Sequence, residues 1–235
     1  MSESQISNNE VIAAESTSKV SMKAGLFANR NAVIGAVIII LLAIVGVSYY
    51  RSVQSQKESE ASLALSRIMP YVEGGDMQKA LNGDPVKKVR GNDVVGLISI
   101  VEQYESTGAG KTAALYAAIA SASTNNYSEA ERYFDIASGS SSPYVSASAQ
   151  AGLASVKENQ GSFSDAAALY EKAIAASEKS GNKDKYEYYA GLCFEKSGNK
   201  EKAKEMYENL LAEFEFSEFS GEAKAGLTRL GIVVD

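Results

Sequence analysis

Tyr127-Ser-Glu-Ala130-Glu-Arg-Tyr-Phe134-Asp-Ile-Ala137 returns twice in altered form, as Phe163-Ser-Asp-Ala166-Ala-Ala-Leu-Tyr170-Glu-Lys-Ala173 and as Lys200-Glu-Lys-Ala203-Lys-Glu-Met-Tyr207-Glu-Asn-Leu210. Ala130, Ala166 and Ala203 recur at spacings of 36 and 37, and so do the rings of Phe134, Tyr170 and Tyr207, with Ala137, Ala173 and Leu210 behind them. A small residue, a ring four positions on and a small or aliphatic residue three further share one helix face. The small residue lets the helix cross close to its partner, and the ring fills the gap between successive helix pairs. One pair cannot bury such a face alone, so the pattern predicts stacked neighbours. Each copy begins two residues after a turn former, at Asn125, Gly161 and Gly198.

Outward from this stretch, 3.6-residue periodicity predicts helices over about 94–105, 111–123, 128–138, 144–159, 164–178, 184–197, 200–214 and 218–230. The breaks are short and carry turn residues such as Gly108-Ala-Gly110, Gly139-Ser-Ser and Gly181-Asn. Short breaks between helices of this length imply antiparallel neighbours. Residues 94–118 look like a preceding half-repeat, and residues 216–230 like a closing helix.

The front of the chain differs. Residues 1–31 are polar and read as a disordered tail. No charge then falls between Arg30 and Arg51, across Ala32-Val-Ile-Gly-Ala-Val-Ile-Ile-Ile-Leu-Leu-Ala-Ile-Val-Gly-Val-Ser-Tyr-Tyr50. About 19 helical residues at ~1.5 Å each span the ~30 Å hydrocarbon core of a bilayer. Tyr49 and Tyr50 suit its interface. The run is too long for the core of a cleaved signal peptide, so a retained anchor over 32–50 is expected. Lys19, Lys23 and Arg30 before the span against Arg51 and Lys57 after it favour a cytoplasmic N-terminus. Residues 51–93 read as a helical stalk, stopped by Pro70, and a loop-like connector in which the basic cluster Lys87, Lys88 and Arg90 is solvated. Residues 94–235 form the repeat domain.

Composition narrows the chemistry. The 235 residues include no His, one Cys and three Pro, with 23 Lys+Arg against 29 Asp+Glu. Without His, Ser-His-Asp and Cys-His sites cannot be built from this chain. One Cys excludes an internal disulfide and a Cys-rich zinc site, and a net charge of −6 argues against general nucleic-acid binding. Catalytic residues, a metal site, a cofactor and a small-molecule substrate are therefore not expected, nor is an enzyme. Gly108-Ala-Gly110-Lys111-Thr112 mimics the end of a phosphate-binding loop, but the Gly required five residues before Gly110 is Glu105, whose charge would repel phosphate. Cys193 sits among apolar helix residues and reads as a small core residue.

The Ala–ring–Ala face, with Ala117-Ala118, Leu153-Ala154 and Ala190-Gly191 on the preceding helices, resembles the tetratricopeptide repeat, a helix-turn-helix unit of ~34 residues. Its large first-helix aromatic is replaced here by Ala114, Gln150 and Glu187. The resemblance implies an all-α fold: one transmembrane helix, then an α-solenoid of degenerate tetratricopeptide-like hairpins. With the anchor and the polar tail, the chain is similar to the YfgM-like family, the ancillary subunit of the Sec translocon. That likeness implies an inner-membrane, single-pass scaffold with a periplasmic domain that binds other proteins (membrane complex subunits, secreted chains or chaperones), the alternative being a structural subunit of another envelope complex. Its bilayer contact is through 32–50. In such a fold the first helices line a groove, here Thr112, Leu115 and Ile119, then Ser148, Ala151, Ser155 and Glu158, then Lys185, Tyr188, Leu192 and Glu195. Repeats that clamp a terminal carboxylate carry Lys and Asn where this chain has Leu115, Ala151 and Tyr188, so that clamp is not expected.

Overall fold

The computed structural model describes residues 30–178 and 181–233, so most of the expected tail lies outside the described residues. The chain divides into two compact units, one ending at Ser55 and the other beginning at Gln56. The first is the apolar part of helix α1, Arg30–Glu73. Its side chains from Val33 to Tyr50 are almost all exposed, and the helix is long and apolar enough to cross a membrane by length and composition.

In the second unit α1 continues past Pro70, where the sequence reading stopped it, and ends at Glu73. Proline withdraws its N–H from the ladder and crowds the Ser66 carbonyl one turn back, but its own carbonyl still accepts the Gly74 N–H at 3.0 Å. The stop comes at Gly75, φ +76°, with Asp76 N–H bonded to Tyr71 O at 2.9 Å and Gly75 N–H to Val72 O at 3.2 Å. This is the paired closure of a helix on a left-handed residue. The expected loop-like connector is instead ordered: α2 (Met77–Asn82) and an antiparallel hairpin of β1 (Gly83–Val89) and β2 (Asn92–Val95), turned at Arg90 and Gly91. Lys88 pairs with Asp93 at 3.3 Å, and Lys87 lies over the Tyr71 ring.

Among the described residues eight helices follow: α3 (Leu97–Tyr104), α4 (Gly108–Ser123), α5 (Tyr127–Ser138), α6 (Pro143–Asn159), α7 (Phe163–Ser177), α8 (Lys183–Lys196), α9 (Lys200–Glu213) and α10 (Ser220–Arg229). They pack as successive hairpins, α4 with α5, α6 with α7 and α8 with α9, closed by α10. Within each hairpin the turn is the same device. Asn125, Gly161 and Gly198 take positive φ, and the next residue's N–H reaches back five residues, Asn126 to Ser121, Ser162 to Lys157 and Asn199 to Phe194, each at 2.9 Å. Asn126 and Asn199 then cap the second helix with their side chains, satisfying donors that the helix leaves free.

The nine residues of the recurring face are buried: Ala130, Ala137, Ala166, Ala173, Ala203, Tyr207 and Leu210 completely, Phe134 and Tyr170 nearly so. Two core clusters meet at α6, which turns Val145, Ala149, Leu153 and Val156 to one and Ala147 and Ala154 to the other. The N-terminal end of the array is closed by α1, whose Ala64 and Ile68 enter the first cluster. There the Glu58 carboxylate accepts the N–H groups of Gly108 (2.7 Å) and Ala109 (3.0 Å). The backbone donors that a phosphate would use at the start of α4 are thus held by a carboxylate of the same chain. Gly110 is required by packing, because a Cβ there would collide with the Tyr104 carbonyl.

Candidate partner-binding cleft

A cleft of about 460 Å³ opens between α6 and α8. From α6 it takes Tyr144, Ser148, Ala151, Gly152, Ser155 and Glu158. Tyr170 comes from α7, Asn182 from the turn before α8, and Lys185, Tyr186 and Tyr189 from α8. The i, i+3, i+4, i+7 spacing of Ser148, Ala151, Gly152 and Ser155 puts them on one stripe of α6. Tyr144 is exposed at the rim and Tyr186 is buried in the wall, while the Tyr170 and Tyr189 rings stack at 5.7 Å, 20° from parallel. Lys185 is exposed and makes no ion pair among the described residues.

One wall is built by a device that repeats. Tyr170 Oη donates to Glu158 Oε2 at 2.8 Å, and one period later Tyr207 Oη donates to Glu195 Oε2 at 2.9 Å. Each glutamate also meets a cation further along: Lys196 lies 3.8 Å from Glu158, and Arg229 donates to Glu195 through two nitrogens, both at 2.8 Å. The Arg229 fork, and then the Tyr207 hydroxyl, hold the Glu195 carboxyl below its usual range. Burial, and then the facing glutamate, push both phenols up. In the first unit the two positions are Phe134 and Ala122, so donor and acceptor are absent together. Burial followed by the charge of Glu158 pushes the Cys193 thiol up to about 12, which leaves it without thiolate character at neutral pH.

The structure gathers Ser148, Ala151, Ser155, Glu158 and Lys185 into this cleft and distributes the other groove residues elsewhere. Thr112 lies beside α1, in a depression shared with Leu65, Met69 and Ser142. Leu115 is buried in the first core cluster and Ile119 is 43% exposed on α4. Tyr188 turns into a ring cluster, 5.3 Å from Phe219 and 5.2 Å from Tyr189. Leu192 is half-buried, and Glu195 is consumed by Tyr207 and Arg229. Sequence reasoning missed Tyr144, Tyr186, Tyr189 and Asn182. The signal for Tyr189 was present: it stands at the position that is Gly152 in one unit and 226, again glycine, in the next.

The family profile described as "Tetratricopeptide repeat-like domain" matches residues 26–225. No curated protein matches the chain by sequence. Among solved structures, the crystal structure of MamA protein is similar at 15% identity and a TM-score of 0.48, over 79% of this chain and 85% of that one. Nearly identical TPR-like repeats from Podosopora anserina are similar at 15% identity and a TM-score of 0.49, over 75% and 86%. With the profile spanning most of its length, and with helical hairpins that each turn on a left-handed residue at the same position, the chain belongs to the tetratricopeptide repeat-like domain family.

Proposed function

We propose that this protein is a membrane-anchored scaffold that holds an extended segment of a partner protein in the cleft between α6 and α8. The family fold supports protein partners in general, and the cleft's composition carries the particular reading. Aromatic faces from Tyr144, Tyr186 and Tyr189 stand beside the exposed polar residues Ser155 and Asn182 and the exposed cation of Lys185. Rings supply contact area at low entropic cost, and adjacent donors can take the backbone of an extended chain. Helix α1 supplies the anchor, with residues 32–50 in an inner membrane, a cytoplasmic N-terminus and the repeats on the far side. Partners among translocon subunits, secreted chains or periplasmic chaperones rest on the resemblance to the YfgM-like family.

The test is site-specific photo-crosslinking in intact cells. A benzophenone side chain at Ser155 or Lys185 is expected to capture a protein adduct that the same group at exposed Glu201 on α9 does not. Equal capture at all three positions, or none at Ser155 and Lys185, refutes the cleft reading. Mass spectrometry of the adducts separates translocon and chaperone partners from others. Protease treatment of spheroplasts, expected to digest the repeats, tests the orientation.

A further inference from the structure

The cleft lies at the junction between α6 and α8 in a regular array, and the array shows what differs there. At each junction the ring of a second helix meets the first helix of the next unit. Phe134 lies on Gly152 so closely that a Cβ there would fall inside the ring, and Tyr207 would be 2.5 Å from a Cβ at Gly226. Between them, 37 residues from each, the position is Tyr189, and Tyr170 meets a second ring instead of bare backbone. Glycine allows two helices to approach until side chain touches backbone, whereas a bulky residue at the contact sets the axes farther apart; observed interaxial distances run over about 8–10 Å on this account. Tyr116 heads the same row, but the element before it is the eight-residue α3 and not a full repeat helix.

We infer that Tyr189 is a wedge: its ring, seated on Tyr170 where the flanking junctions have glycine, holds α8 away from α6 and so creates the partner site. The inference rests on the cleft reading given above, and its test separates the two. Several cleft walls follow from the wedge. The ring itself forms one side, Tyr186 and Lys185 precede it on the same helix, and the α6 stripe stays partly open from Ala151 to Ser155, beyond the point where Tyr186 meets Ser148.

The experiment uses the full chain in detergent, with spin labels at Asn159→Cys at the end of α6 and Ser197→Cys just past α8, both exposed positions; the native Cys193 is fully buried and stays unlabelled. In the partner-free protein, Tyr189→Gly is expected to shorten the label distance by about 1–2 Å, the spread between glycine and large-residue contacts, and Tyr189→Phe to leave it unchanged. If the glycine variant does not fold, Tyr189→Ala reports the same movement. In cells, the glycine or alanine variant is expected to lose at least tenfold of the photo-crosslinked adduct at Ser155, and the phenylalanine variant to keep it. An unchanged label distance overturns the wedge, whatever happens to binding. A shortened distance with the adduct retained overturns the link between wedge and partner, while the packing argument and the cleft reading stand; absence of the adduct at Ser155 and Lys185 in the parent protein overturns the cleft reading instead.

Discussion

Glu187 lies on α8 with 2% exposure, and its Oε2 has no hydrogen-bond partner among the described residues. Its Oε1 is 3.7 Å from Lys183 Nζ, but that ammonium is held closely by Glu213 of α9. Asp184 on the same helix and Glu213 add like charge. Burial, only partly offset by Lys183, pushes the carboxyl up to about 7 from an ordinary 4.5. A folded pKa above the unfolded one means that the native state binds the extra proton, so stability falls as pH rises. The penalty is absent below pH 4.5, grows through the window from 4.5 to about 7, and is complete above it. At about 1.4 kcal/mol per unit the full penalty is about 3 kcal/mol.

Glu187→Gln removes the charge and keeps the shape, and the equivalent position one unit earlier is already Gln150. A buried amide still costs about 1 kcal/mol when imperfectly paired, so the variant should be about 2 kcal/mol more stable than the parent at pH 8 and no more stable at pH 4.5. For a domain of this size that is about 4–8 °C in melting temperature. Denaturation followed by circular dichroism at several pH values gives the difference directly, because every other titrating group is common to the two proteins. A stability difference that does not change between pH 5 and 8 would show that the Glu187 carboxylate is solvated or paired, and would refute the reasoning.

Three further outcomes follow from the packing. Tyr207→Phe removes a donor from a charged acceptor and should cost about 1.5–3 kcal/mol, whereas Phe134→Tyr should not gain stability, since Ala122 offers its hydroxyl no carboxylate; a double-mutant cycle with Glu195→Gln checks the first. Glu58→Ala leaves Thr107 as the N-cap of α4 but frees the Gly108 and Ala109 N–H groups, and should destabilise by about 1 kcal/mol, with faster hydrogen exchange at those two amides as the local readout. Gly152→Ala forces Phe134 off its seat and should cost about 1–3 kcal/mol by overpacking, measured by the same denaturation assay.

How far the sequence reached depends on which interactions are periodic. The Ala–ring–Ala face was legible because each member repeats at the same offset and buries against its counterpart, so three weak copies reinforce one reading. The turns were legible for the same reason: Asn125, Gly161 and Gly198 serve one backbone need, a left-handed residue between two helices. The end of α1 was misread at Pro70, because a proline disturbs the turn before it, at the Ser66 carbonyl, while its own carbonyl still accepts and lets the helix run on for another turn. The hairpin escaped notice because its strands alternate poorly, with Val86 almost fully exposed and four consecutive exposed residues in β1. The groove was only half legible, since helical spacing assigns residues to a face but says nothing of how far apart two faces stand. That distance is fixed by contacts between units, and it varies where the repeat breaks its own rule. Tyr189 is such a break, and so is Glu187, a carboxylate where the family carries an aromatic. In a repeat protein the regular positions specify the scaffold, and departures from them on a buried or grooved face are where a particular function has to be sought.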